Sequence, residues 1–231
     1  MLEIISPHID DAVFSLGGYI MHHFETGTPI QVTNCFSISN YHISGDKLET
    51  QAVTELRKRE DRSVEQALKG IARFAYLDLP DAPLRGNVNL SSSPFDVNDF
   101  RILSLVADYL SKRKNLIVPL ALGNHIDHRI CCYAALMSDT SNLYGFYEDL
   151  PYAGRLKEED ILAHINGLEV AFQVRFTPKL FAGLDFLEAK KELCSLYRSQ
   201  LKPWYIEKIL DHFNVLKGER IWVPVKKHSG R

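Results

Sequence analysis

Short, mostly apolar runs alternate along this chain with stretches whose apolar positions recur at helical spacing. Leu2–Ile5 is the first such run, and it ends at Ser6-Pro7, where a residue without an N–H closes a ladder. From Ala12 the period is helical, with Val13, Leu16, Ile20, Met21 and Phe24 on one side up to about Glu25. Thr26-Gly27-Thr28-Pro29 stops that helix. Ile30–Phe36 reads as a second strand, Ser37–Asp46 as a polar loop and Lys47–Lys69 as a charged helix. Ala72–Leu79 predicts a third strand, the polar stretch to Ser93 a loop, and Val97–Lys112 a helix. Leu116–Leu120 is apolar throughout, as a central strand should be. A helix from Arg129 to about Met137 and a strand at Asn142–Leu150 follow. The remainder is less regular, with a strand read at Glu169–Thr177, helices near Leu184–Gln200 and Tyr205–Phe213, and a last strand at Arg220–Val225. Alternating strands and helices with short joints predict parallel βαβ units. The fold class is therefore α/β, a mostly parallel sheet flanked by helices, in one domain over residues 1–231.

Two strand-to-helix joints carry nearly all the candidate chemistry. His8-Ile9-Asp10-Asp11 follows the first strand, and Gly123-Asn124-His125-Ile126-Asp127-His128 follows the central one. In an open α/β sheet such joints lie at the carboxyl ends of the strands, where ligands bind. Singly, His8 would be a satisfied polar group and Asp10 or Asp11 a helix cap. Their joint occurrence at two such turns points to chemistry. His8 and Asp11, three apart as a helix starts, turn toward one point, while Asp10 between them points elsewhere. With His128 they make two imidazoles and one carboxylate, the donor set of a catalytic zinc that keeps a place open for water. A water on zinc has its pKa lowered to about 7, so Asp10 can serve as general base. His125 is left near the substrate to stabilise an oxyanion and protonate a leaving amine, and Asp127 to hold its charge and orientation. The reaction class is metal-assisted hydrolysis of an amide. His22, His23, His42, His164, His212 and His228 lack such a context, and neither they nor Trp204 and Trp222 are given a role.

Charge and cysteine content narrow the setting. Lys and Arg number 27 against 29 Asp and Glu, a formal net charge of −2, which argues against a nucleic-acid partner. Arg57-Lys58-Arg59 and Lys112-Arg113-Lys114 fit solvated helix faces. Cys35, Cys131, Cys132 and Cys194 match no metal or redox spacing, and with no signal-peptide pattern the expected compartment is a reducing cytoplasm. No apolar run is long enough to span a bilayer.

Ser6-Pro7-His8-Ile9-Asp10-Asp11 resembles the (A/S)-H-P-D-D-E signature of the PIG-L/LmbE-like zinc N-deacetylases, and His125-Ile126-Asp127-His128 resembles their H-P-D-H motif. Arg57-Lys58-Arg59-Glu60 and Leu77-Asp78-Leu79-Pro80-Asp81 look like the family's middle section. Tyr147–Tyr152 and Lys190 with Tyr197–Gln200 look like its later segments. The resemblance implies a Rossmann-like fold and removal of an acetyl group from an N-acetylated amino sugar or a related small-molecule or glycan intermediate. It implies one zinc per subunit on His8, Asp11 and His128, Asp10 as base, and His125 supported by Asp127. It also admits a homo-oligomer. In the family a middle-section Arg contacts the sugar, a place for which Arg57 and Arg59 compete; Tyr147 is a further candidate for the pocket wall. Ile9, Ile126 and Ala12 depart from the family's two Pro and its Glu, and the lost Glu removes a partner of the first turn. The donor set also accepts other divalent ions. Two alternatives stand beside this reading: a metal-dependent amidohydrolase on another acylated natural-product intermediate, and a non-catalytic binding protein on the same fold. Intact Asp10 and His125 argue against the last, since neither is needed merely to bind metal.

Overall fold

The computed structural model describes residues 1–44, 48–87, 90–91, 94–181 and 183–225. In chain order its elements are β1 Leu2–Ser6, α1 Asp11–Glu25, β2 Ile30–Asn34, α2 Thr50–Ala67, β3 Ala72–Tyr76, α3 Val97–Ser111, β4 Leu116–Pro119 and α4 Ile126–Met137. There follow β5 Leu143–Tyr147, α5 Glu158–Phe172, β6 Phe176–Phe181, α6 Leu187–Ser195, α7 Pro203–Leu216 and β7 Glu219–Pro224. All seven strands join one sheet in the order β3-β2-β1-β4-β5-β7-β6. β1 to β5 run parallel, and β7 is antiparallel to both β5 and β6. The α/β, mostly parallel architecture is thus the one the sequence predicts, and its order is Rossmann-like.

The chain winds outward from β1 through β2 to β3, then crosses back to lay β4 against the other side of β1. That reversal opens a crevice beyond the carboxyl ends of β1 and β4. Ile4 and Ile5 of β1 and Ile117 and Val118 of β4 are fully buried, as strands covered on both faces must be. The two polar joints therefore leave the same end of the sheet side by side.

The C-terminal third departs from its reading. The strand expected at Glu169–Thr177 falls on the last turn of α5 and the start of β6, and the helix before it goes unread in the sequence. Val170, Phe172 and Val174 read as strand by propensity. The helix is set instead by Ile161, Ile165 and Leu168 buried at helical spacing, and by Asp160 accepting from the Lys157 N–H at 3.1 Å.

Helix α1 is broken at Leu16, which has φ −124° and ψ 24°. A buried ion pair explains the break. Lys190 Nζ donates to the carbonyls of Phe14 and Ser15 at 2.7 and 3.2 Å and lies 2.6 Å from Glu219 Oε1. The Glu219 carboxylate accepts from the N–H groups of Gly18 and Tyr19 at 2.8 and 2.7 Å. These are the groups an unbroken helix would join to each other. Each half-helix end thus meets the charge its dipole favours. Gly17 leaves the room: a Cβ there would stand 3.0 Å from Lys190 Cγ.

Candidate metal centre and active site

Ser6 builds the first turn. Its Oγ donates to His8 O at 2.6 Å and accepts from Ala12 N at 3.0 Å. Asp11 Oδ2 accepts from the His8 backbone N–H at 2.8 Å. Together these bonds hold the turn that lacks the family's Glu. Asp10, at the start of α1, has φ 139°, a strained value for a residue with a side chain. Arg57 braces it, donating from Nη2 to Ile9 O at 3.0 Å and lying 3.5 Å from Asp10 Oδ1.

The three expected ligands meet at one atom. Asp11 Oδ2 lies 3.1 Å from His8 Nδ1 and 3.2 Å from His128 Nε2. One ligand atom from each residue lies within 4.8 Å of the others. His128 Nε2 is buried and has no hydrogen-bond partner, the condition of an atom arranged for a ligand. The far nitrogens are occupied: His8 Nε2 lies 2.9 Å from Asp127 Oδ2, and His128 Nδ1 2.6 Å from Asp149 Oδ1. A carboxylate behind each imidazole fixes the tautomer that leaves the inner nitrogen to an ion. Residue types, spacing and backing carboxylates all fit a divalent metal. His8, His125 and Asp127 form a second group within the same distance. It fits less well, because Asp127 is already engaged by Ala82 N at 2.9 Å and by Arg85 at 2.8 Å.

The electrostatics follow from burial and neighbours. Burial opposes a charge on His8, yet its hydrogen bonds to Asp11 and Asp127 raise its pKa to about 9 in the ion-free protein. His128 is raised as well, burial being outweighed by the charge of Asp11. Ligation must therefore release protons. Asp10 is pushed up to about 8 by burial and by Asp11 next to it. His125 is pushed down to about 3 by burial and by the charges of His8 and His128.

His125 departs from its expected state. Its Nδ1 accepts from the Asp127 backbone N–H at 3.2 Å, capping α4. The ring is thus neutral with its proton on Nε2. The Asp127 carboxylate, read as the support of a charged His125, is turned instead to His8 and Arg85. The two candidates for the middle arginine lie apart in space. Arg57 is buried and lines the cavity, whereas Arg59 is exposed on the other face of α2. Tyr147 is not in the cavity wall. It is fully buried, and its hydroxyl donates to Ile5 O at 3.0 Å, tying β5 to β1.

Beside the cluster lies a cavity of about 250 Å³. His8, Asp10, Asp11 and His125 line its floor, and Phe14, Tyr41, Tyr152 and Tyr205 contribute to its walls. Tyr152 is the site part that sequence reasoning missed, and Asp149, read with Tyr147 and Glu148 as a candidate pocket liner, stands behind His128 instead. The signal for Tyr152 is Gly123, whose φ of +82° and contact with the Tyr152 ring both exclude a side chain; a Cβ would stand 2.6 Å from Cγ.

Asp61 lies beneath Arg57 and accepts from Tyr197 Oη and Asn34 Nδ2, each at 2.7 Å. Burial raises its pKa to about 7 against the attraction of its donors. The folded state binds this proton more tightly than the unfolded chain. That contribution to stability is full below about pH 4 and lost as pH rises through about 7. Asp61→Asn, with Asn34 turning its unpartnered Oδ1 toward the new amide, should gain stability relative to wild type between pH 5 and 8. Urea midpoints across that range check the sign, and a pH-independent difference would mean that Asp61 ionises normally.

Fold and site together define a Rossmann-like α/β domain whose strand-order reversal carries a His-Asp cluster suited to a divalent ion. The chain belongs to the PIG-L family: the family model described as GlcNAc-PI de-N-acetylase matches residues 4–138. It is 30% identical over 169 residues to the 2'-N-acetylparomamine deacetylase of Streptomyces fradiae, a match covering 68% of this chain and 60% of that relative's length. Among solved structures, a zinc-inhibited form of the teicoplanin deacetylase Orf2 aligns with a TM-score of 0.70 at 18% identity over 99% of both chains. The N,N'-diacetylchitobiose deacetylase of Pyrococcus horikoshii aligns at 0.59 and 14% identity, over 97% of this chain and 83% of its own. Among the described residues no helix is long and apolar enough to cross a membrane.

Proposed function

We propose that this protein is a metal-dependent N-deacetylase that hydrolyses the acetamide of an N-acetylated amino sugar carried on a glycosylated small molecule. The observation behind this reading is the convergence of His8 Nδ1, Asp11 Oδ2 and His128 Nε2 at the floor of a cavity that Asp10 and His125 also line. Family membership and the paromamine-type relative support the acyl group and the substrate class.

His8, Asp11 and His128 would hold the ion, zinc being the expected one. When bound, such an ion acidifies a water and polarises the amide carbonyl. Asp10 accepts the proton of the attacking water. The Nε2–H of His125 donates to the carbonyl oxygen as negative charge develops there. A neutral His125 is a donor to that oxygen and a poor acid, so Asp10 also returns its proton to the nitrogen as the C–N bond breaks. Acetate and a free amine result. The cavity is below the roughly 300–1,000 Å³ usual for drug-sized ligands. It therefore suits a single sugar ring against its aromatic walls, the rest of the glycoside lying outside.

Incubation of zinc-loaded protein with an N-acetylated paromamine-type pseudodisaccharide should release acetate stoichiometric with free amine. Hydrolysis of longer acyl chains on the same amine, with the acetyl compound left intact, would reassign the acyl group. Inertness toward every acylated amino sugar by a zinc-replete sample would refute the reading.

A further inference from the structure

Behind the ligand cluster stands a buried group that the proposed reaction does not use. Arg85 ends a 3-10 turn, Pro83–Arg85, in the loop after β3, and its side chain is 5% exposed. Its Nη2 lies 2.8 Å from Asp127 Oδ1 and 3.1 Å from Asp99 Oδ1. Its Nε reaches Asp99 Oδ1 at 3.3 Å and its Nη1 donates to Pro80 O at 2.8 Å. The Phe36 ring lies 5.0 Å from the guanidinium carbon. Asp99 is itself fixed, its Oδ2 accepting from Asp96 N at 3.1 Å where α3 begins. Every branch of the guanidinium is thus spoken for, and one of them grips the carboxylate that backs His8.

We propose that Arg85 is a positioning residue for His8: by holding Asp127 Oδ1 it keeps Asp127 Oδ2 on His8 Nε2, so that Nδ1 faces the ion. This rests on the reading of His8, Asp11 and His128 as the ligand set. Asp127 Oδ2 has two contacts, the Ala82 N–H and the His8 ring. Oδ1 is buried with no hydrogen bond, and among the described residues its ion-pair partner is the guanidinium, at 2.8 Å. Without it the carboxylate can rotate about its last bond, and the ring of His8 turns with it. The same loop walls the cavity through Pro83 and Leu90, and Leu90 O accepts from Ile126 N at 2.8 Å at the start of α4. One loop therefore braces a ligand and shapes the substrate wall. Lys has no fork with which to bridge Asp99, Pro80 O and Asp127 together.

The test measures zinc affinity of the folded protein by competition with a chromophoric chelator, beside urea unfolding of the ion-free protein. Arg85→Met should weaken zinc binding about 10-fold, the low end of the range for loss of a group that itself backs a metal-bound His. Arg85→Lys should recover only part of it. Nitrogen-15 spectra of the His8 ring add a signature that mere destabilisation would not move. Zinc-loaded wild type should keep the Nε2–H tautomer, and Arg85→Met should show it exchanging. If Arg85→Met does not fold, Asp99→Asn, which frees the other side of the guanidinium, should weaken zinc in the same direction. Zinc affinity and tautomer unchanged in the folded variants, while His8→Ala abolishes binding, would overturn the inference and leave the ligand set standing. Equal zinc binding by wild type and His8→Ala would overturn both.

Discussion

Replacing Asp10 by Asn should lower the kcat of deacetylation by about two to four orders of magnitude while zinc stays at one per chain. Asn keeps the size of the side chain and an oxygen for Arg57, and the Arg57 bond to Ile9 O holds the strained turn in place. What is lost is the capacity to take and return a proton. Asp10 is not one of the three residues, His8, Asp11 and His128, whose ligand atoms come together, so the donor set is untouched. Metal analysis and steady-state kinetics on the same preparation read both quantities. Loss of zinc together with activity would make Asp10 a ligand; near-normal turnover would remove it from the chemistry.

The largest effect on stability is expected at Lys190. Lys190→Met should destabilise the fold by about 3–5 kcal/mol, the range for breaking a buried ion pair from one side. The carbonyls of Phe14 and Ser15 lose their donor, and Glu219 keeps two N–H groups but no cation. At roughly 2–4 °C per kcal/mol for a chain of this size, the melting temperature should fall by about 10 °C. Adding Glu219→Gln should recover part of the loss, because the uncompensated charge goes with it. The first half of α1 carries both Asp11 and Phe14, so zinc affinity should also weaken. A melting temperature within a degree or two of wild type would show that the break in α1 does not depend on the pair.

The core of this architecture is legible in the residues because parallel strands buried on both faces are nearly continuous apolar runs. Leu2–Ile5 and Leu116–Leu120 announce β1 and β4, and the His-Asp turns after them announce the site. The C-terminal third is less legible. There Val170 and Phe172 carry strand propensity, and burial of Ile161, Ile165 and Leu168 decides for helix. The site itself was readable in its types and not in its pairings. Nothing in the order of residues says that the Asp127 carboxylate turns to His8 while its backbone N–H caps onto His125. Nor does it say that Asp149 stands behind His128, or that Arg85 reaches Asp127 from 42 positions away. Arg57 and Arg59 look alike in sequence. Helical phase alone buries the first and exposes the second.

The family's lost Glu after the paired aspartates also has a local answer. Ser6, two residues before His8, bonds to both ends of the turn and supplies the N–H of Ala12 with an acceptor. Ser6→Ala should therefore weaken zinc more than its buried hydroxyl alone would weaken the fold.

The decisive measurement is a crystal structure of zinc-soaked protein with anomalous scattering collected on both sides of the zinc edge. The expected result is one zinc per chain, bound by His8 Nδ1, Asp11 Oδ2 and His128 Nε2, with Asp10 and His125 facing its open side. A zinc held instead by His125 and Asp127, or no anomalous peak between His8 and His128, would contradict it.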